Sequence, residues 1–175
     1  GFVDNEQELG GSSSRDVDLG DLDGDGDLDA FVVNNYGQPN KVWLNDGNAQ
    51  FSESSQDIPS NYSKGVSLGD IDGDGDIDAF VAEAGPYSDG APNTVWLNNG
   101  LAQFVANGQT LGSSWNLGTS FDVSSLADLD GNGTLDAFVA NLEGYNRVWL
   151  NAAFRLLLPI VQKPALPSWD AAASM

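Results

Sequence analysis

Apolar residues fall in short runs along this chain, with no sustained helical spacing. Asp16 to Gly20 (DVDLG), Gly65 to Gly69 (GVSLG) and Val123 to Ala127 (VSSLA) form one set. A second set follows each of these, FVV at Phe31 to Val33 and FVA at Phe80 to Ala82 and Phe138 to Ala140, each preceded by an alanine to give AFV. A third set is VWLN at Val42 to Asn45, Val95 to Asn98 and Val148 to Asn151, and a phenylalanine closes each unit at Phe51, Phe104 and Phe154. Short runs rich in valine, phenylalanine and tryptophan, bounded by glycine, asparagine and aspartate, predict strands. The chain is therefore expected to be all-β, in three repeats of four strands each. No run approaches the roughly 18 apolar residues a membrane-spanning helix needs.

Between the first and second strand of every unit lies a run of aspartates. These are DLDGDGDLD at Asp21 to Asp29, DIDGDGDID at Asp70 to Asp78 and DLDGNGTLD at Asp128 to Asp136. Carboxylates this dense repel one another unless a hard cation sits among them. Positions 1, 3, 5 and 9 carry oxygen side chains and position 6 is always glycine, a pattern suited to the many flexible oxygen ligands of calcium. An EF-hand is excluded, because the residues at its closing position 12 are Val32, Val81 and Val139, and strands stand where its helices should be. The ninth-position aspartates Asp29, Asp78 and Asp136 must then close the loop. A lone acidic loop would be read as a solvated surface, but three copies with the same glycine argue against that. The loops start 49 and then 58 residues apart, a period typical of propellers and solenoids.

Loop, AFV strand, VWLN strand and closing phenylalanine recur in register from Phe2 to about Phe154, and in this the chain resembles the FG-GAP or VCBS repeats, whose calcium loops also occur in integrin α-subunit propellers. The resemblance implies β-propeller-type blades, each with its calcium loop between strands 1 and 2. It implies side-chain ligands Asp21, Asp23, Asp25 and Asp29 in the first loop, Asp70, Asp72, Asp74 and Asp78 in the second, and Asp128, Asp130, Asn132 and Asp136 in the third. Asp27, Asp76 and Thr134 would contribute backbone carbonyls. Asn132 and Thr134 are neutral, so the third site is expected to bind Ca2+ most weakly. Blade 1 is expected over about 15–55, blade 2 over 64–107 and blade 3 over 120–154, with an outer strand at 1–10 and an apolar tail at 155–175.

Composition narrows the function. The 26 acidic and 6 basic residues give a net charge of −20, and three calcium ions would leave −14. Such a surface disfavours nucleic acid and anionic membranes as partners. Cysteine is absent, so neither disulfides nor zinc–thiolate sites can hold the fold, and calcium is the expected staple. That places the protein outside the cell, where calcium is plentiful. Histidine is also absent, as is a G-x-S-x-G elbow, and the acids recur with the fold instead of marking one place. An enzyme is not expected. Asn61-Tyr62-Ser63 and Asn132-Gly133-Thr134 match the N-glycosylation pattern, the second inside a metal loop.

Trp43, Trp96 and Trp149 stand at equivalent places and are expected to pack between blades. Tyr36, Tyr87 and Tyr145, with Tyr62 and Trp115, lie in loops on the opposite side from the aspartates and form a search area for a partner. Three blades leave sheet faces uncovered, since propellers close with four to eight. The extra outer strand at Gly1 to Glu8 and the apolar Arg155 to Val161 point to strands donated between subunits, giving a ring or a fibre. Two classes of function follow. One is a calcium-stabilised extracellular structural or adhesive protein that assembles with itself. The other is a glycan- or protein-binding propeller module, or a fragment of a larger secreted propeller protein.

Overall fold

A computed structural model describes residues 1–86, 90–112, 123–141 and 145–152. Eleven strands are seen among them. Strands β1 (Ser14–Gly20), β2 (Asp29–Asn34), β3 (Lys41–Asn45) and β4 (Phe51–Glu53) form one antiparallel sheet in chain order. Strands β5 (Ser63–Gly69), β6 (Asp78–Glu83), β7 (Thr94–Asn98) and β8 (Phe104–Ala106) repeat that order in a second. The third holds β9 (Val123–Ala127), β10 (Asp136–Ala140) and β11 (Arg147–Trp149). The described residues contain no α-helix. Phe154, where a fourth strand of the last unit was expected, lies outside the described residues, as do Tyr87, Trp115 and the tail from Arg155 onward.

The registers show that the units are copies. Trp43 stands opposite Ala30, Trp96 opposite Ala79 and Trp149 opposite Ala137. Because side chains alternate along a strand, each sheet has two distinct faces. The front of a sheet presents the small AFV alanine and the tryptophan, whereas the back presents the AFV phenylalanine and the valine of VWLN. Sheets stack back to front in chain order, with β1 beside β5 and β5 beside β9.

Between the first and second sheets, Leu22, Phe31, Val33 and Val42 of the first back meet Val66, Ala79, Val81 and Trp96 of the second front. Phe31 meets Phe104 edge to face, with ring centroids 5.2 Å apart. Between the second and third, Phe80 and Val95 meet Ala137, Val139, Leu126 and Trp149. The tryptophans of the second and third sheets thus serve packing between sheets, as their recurrence implied. A large ring set over a small alanine lets adjacent sheets interdigitate closely.

Residues 1–10, expected as an outer strand, belong to no sheet. The segment instead uses one side chain as a strand would use its backbone. Gln7 donates from Nε2 to the Phe51 carbonyl at 2.6 Å and accepts the Phe51 N–H at 3.1 Å. Gln56 treats Phe104 the same way, at 2.6 and 2.8 Å. An amide carries one donor end and one acceptor end, so it can satisfy an exposed sheet edge without extending it. Two residues after Gln56, Ile58 exchanges both backbone bonds with Asn40 of the preceding sheet, and Leu111 does so with Asn93. Each linker is in this way fastened to the sheet it leaves.

Glu83 departs from the repeat pattern, since its counterparts are Asn34 and Asn141. It is only 2 % exposed and accepts bonds from Ser63 Oγ and the Asn61 N–H, both at 3.0 Å. Burial pushes its carboxyl up to about 7, against an ordinary 4.5, with the two hydrogen bonds opposing. Folded, Glu83 holds its proton more tightly than unfolded. Its favourable contribution is therefore complete below about pH 4.5 and lost as pH rises through about 7. Chemical denaturation of Glu83→Gln and the parent at pH 5 and pH 8 should show the variant gaining on the parent by up to about 3 kcal/mol at the higher pH. A constant difference would show that Glu83 does not titrate in this range. Removing the ring at Phe31 should cost about 3–5 kcal/mol in the same assay, because it leaves a cavity between the first two sheets.

Candidate metal centre

Each aspartate loop joins the first two strands of its sheet, and its backbone is wound around its own carboxylates. The first aspartate accepts two N–H groups from the loop. Asp21 takes Gly24 and Gly26 at 2.9 and 3.1 Å, and Asp70 takes Gly73 and Gly75 at 2.7 and 3.1 Å. Asp128 takes Gly131 and Gly133 at 2.7 and 3.0 Å, and Asn132 besides. The winding needs positive φ at two places, not only at position 6. Gly24 and Gly26 have φ of 79° and 95°, and the other loops match. A side chain at either place would be strained, which explains the doubled glycine of DGDG. The position-4 glycine went unremarked in the sequence, although it recurs just as regularly.

The third and fifth residues make short turns. Asp23 accepts the Asp25 N–H and Asp25 accepts the Asp27 N–H, at 3.2 and 2.9 Å. The second loop repeats both bonds, and in the third Asn132 Oδ1 accepts the Thr134 N–H at 2.7 Å.

The ninth aspartate is of a different kind, being fully buried in all three loops. Asp29 accepts the Leu22 N–H at 3.0 Å on one oxygen and the Asn45 N–H at 2.8 Å on the other. Asp78 brackets Ile71 and Asn98, both at 2.9 Å, and Asp136 brackets Leu129 and Asn151 at 2.8 and 2.7 Å. One carboxylate thus fastens the start of the loop to the end of the third strand or, in the third sheet, to Asn151 two residues past it. Each oxygen has a further lone pair, so this bracket and metal ligation are compatible.

Positions 1, 3 and 9 converge. Carboxylate oxygens of Asp21, Asp23 and Asp29 lie within 4.8 Å of one another, as do those of Asp70, Asp72 and Asp78, and of Asp128, Asp130 and Asp136. Asp25 and Asp74, expected as ligands, are not among these triads, and each accepts the N–H two residues on, as Asp23 and Asp72 also do. The position-7 residues face the turn before the fourth strand. A Cβ at Gly47 would lie 2.5 Å from Asp27 Oδ2, and one at Gly100 would lie 2.7 Å from Asp76 Oδ1.

Burial, followed by repulsion from neighbouring aspartates, pushes the carboxyls of Asp23 and Asp72 above their ordinary range, and burial does the same to Asp78. A cation among them would relieve that cost. The donor set is all oxygen and three carboxylates per loop, which suits a hard divalent ion. The third loop is held more by neutral groups, since Asn132 Nδ2 and Thr134 Oγ1 both donate to the Asn151 carbonyl, at 3.0 and 2.6 Å.

A further contact joins each of the first two loops to the next sheet. Asn98, the asparagine of the second VWLN, donates from Nδ2 to the Leu22 carbonyl inside the first loop at 2.8 Å. Asn151 donates likewise to the Ile71 carbonyl of the second loop at 2.7 Å. The Ala102 N–H reaches the Leu22 carbonyl as well, at 2.8 Å. These asparagines were visible in the sequence as part of a motif but carried no assigned role. Their recurrence at a strand end was the available signal.

Searching the curated proteins finds no match to the chain. The family model for an FG-GAP-like repeat matches twice, over residues 21–81 and 70–139. Each match opens on the first aspartate of a loop and closes in the second strand of the following sheet, so the matched unit spans the loop and its junction with the next sheet. With three aspartate triads set at equivalent corners of three like sheets, and the two matches together spanning more than half of its length, the chain belongs to the FG-GAP-like repeat family.

Proposed function

We propose that this protein is a non-enzymatic, calcium-stabilised structural or adhesive module of the cell exterior, built as β-propeller-type blades and assembling with copies of itself into a ring or fibre. The observation that carries the proposal is that every sheet offers one carboxylate triad whose loop is bonded to its own third strand and, in the first two, to the next sheet. An ion held there would have up to three structural elements to hold together: the loop, its own third strand and the next sheet. Bound calcium would supply the positive charge that offsets repulsion within each triad. The chain's own residues do the rest: Asp29, Asp78 and Asp136 orient the loops, while Asn98 and Asn151 carry their position to the neighbouring sheet. The family is typical of extracellular and surface proteins, and no helix of the described residues is long and apolar enough to cross a membrane.

A second reading rests on Tyr36 and Tyr62. Both adopt left-handed backbone, φ 57° and 64°, and their rings meet edge to face with centroids 6.3 Å apart. Tyrosine seldom takes that conformation, and such strain is commonest at functional sites. In this reading the pair presents a glycan- or protein-binding surface away from the metal loops. Tyr145 is exposed in the corresponding loop of the third unit. A glycan array probed with the parent and with Tyr36→Ala should separate the readings, since loss of a parental signal supports a binding module.

Thermal unfolding with and without calcium tests the first reading. At calcium near 100 times the dissociation constant each site should add about 2.7 kcal/mol, raising Tm steeply from its value in chelator. Asp23→Asn and Asp72→Asn should each remove most of one site's share, and Asp130→Asn should remove least. Unfolding indifferent to calcium and to chelator would refute the proposal.

A further inference from the structure

The two ends of the stack are chemically complementary. The front of the first sheet carries Val17, Leu19, Leu28, Ala30, Val32 and Trp43. Their counterparts on the second sheet, Val66, Leu68, Ile77, Ala79, Val81 and Trp96, pack against the back of the first. On the first sheet Val17, Leu19 and Leu28 are instead more than half exposed, beside a groove of about 590 Å³ that includes Trp43 and Leu9. The back of the third sheet carries Leu129, Phe138, Val148 and Leu150. The equivalent Leu22, Phe31 and Val42 are fully buried under the second sheet, whereas Phe138 is 41 % exposed and Leu150 61 %. Apolar patches of this extent are unusual on a surface without a partner.

We infer that the front of the first sheet takes the back of the third sheet of a second copy of this chain, through the same contact that already joins the first sheet to the second and the second to the third. The inference rests on the self-assembly reading above and identifies its surfaces. What selects a second copy as occupant is that the chain displays this junction twice within itself, with matching residues on both sides. Continuity extends to the polar bond at its rim. Asn98 and Asn151 reach back to the carbonyls of Leu22 and Ile71. Asn45 is their counterpart in the first sheet, and its Nδ2 bonds only within its own unit, to the Leu28 carbonyl, while its Oδ1 is buried without a partner. In the assembly Asn45 would donate to the Leu129 carbonyl, inside the third metal loop of the other copy.

Two features differ. Asp16 and Asp18 accept the N–H groups of Val66 and Leu68 across the first junction and Ser67 donates to the Ser124 carbonyl across the second, whereas the third sheet has Val123 and Ser125 at the places of Asp16 and Asp18. The other is a glycine. Gly20 and Gly69 lie under the side chains of Ile77 and Leu135, where an added Cβ would approach to 3.2 and 2.5 Å, but the third sheet has Ala127. The neighbour of Gly20 is the Cγ2 methyl of Ile77, and that of Gly69 is the terminal Cδ1 methyl of Leu135; the second copy offers Leu28 at this place, whose terminal methyls must rotate aside. Front-to-back contact is heterologous, so it builds either a closed ring or a growing chain, never a two-fold face-to-face pair.

Sedimentation velocity in calcium, over a wide range of protein concentration, tests this with two variants of the full chain. Val17→Asp with Leu19→Asp blocks the front, and Val148→Asp with Leu150→Asp blocks the back. Each alters only exposed side chains, and circular dichroism checks that both fold. The parent should associate, and either variant alone should associate more weakly by a factor on the order of a hundred or more. Mixing the two variants should restore one intact junction and give a capped 1:1 dimer. Asn45→Ala should weaken the parent's association roughly two- to tenfold. A parent that stays monomeric overturns both this contact and self-assembly, while leaving calcium stabilisation to its own test. Association that persists in both variants leaves self-assembly standing and overturns this contact. So does a mixture that forms no dimer.

Discussion

Everything in this molecule hangs from a buried carboxylate that accepts two backbone hydrogen bonds. Asp29, Asp78 and Asp136 have no exposed surface, and each grips the entry of an aspartate loop with one oxygen and the end of a third strand with the other. A buried charge is tolerated only where hydrogen bonds or an ion compensate it, and charged hydrogen bonds are the stronger kind. The bracket therefore fixes the corner of the sheet, and the corner fixes where the remaining two carboxylates of the triad sit. Without it, the loop would be an acidic excursion with no reason to converge.

From that corner the order passes outward to the next sheet. The Leu22 and Ile71 N–H groups are held by the bracket, and the carbonyls of the same two residues are held by asparagines of the following sheet. A single loop residue is thus bonded on both sides of its peptide units, once within its sheet and once across. Apolar packing of phenylalanine over alanine supplies the bulk of the cohesion, but it is non-directional. The polar contacts set the register in which those faces meet.

Much of this was legible in the sequence because it recurs. The strands, the loop between the first two of each unit, and the convergence of positions 1, 3 and 9 all follow from residues whose chemistry is distinctive. Position 5 is ambiguous in the sequence, since a carboxylate there serves equally as a ligand or as a cap for the backbone two residues on, as Asp25 and Asp74 do. Asn98 was opaque because asparagine at a strand end is an ordinary turn residue, and its partner Leu22 is distant in sequence. Gln7 hid the nature of the N-terminal segment, where Phe2 and Val3 looked like a strand but are exposed, and the edge is satisfied by one side-chain amide. Glu83 could be located only by its burial, since nothing in a single sequence marks a glutamate as enclosed.

The central claim is that an ion in one loop stabilises the sheet that follows it. Amide hydrogen exchange at Ala102 tests this most directly, because its N–H belongs to the second sheet's unit yet bonds to the Leu22 carbonyl of the first loop. Saturating calcium should slow exchange at Ala102 together with that of Leu22 and Asn45, and chelator should reverse it. If calcium slows the loop amides of Gly24 and Gly26 while Ala102 exchanges at an unchanged rate, the loops bind the ion but do not clamp the stack, and the account is contradicted.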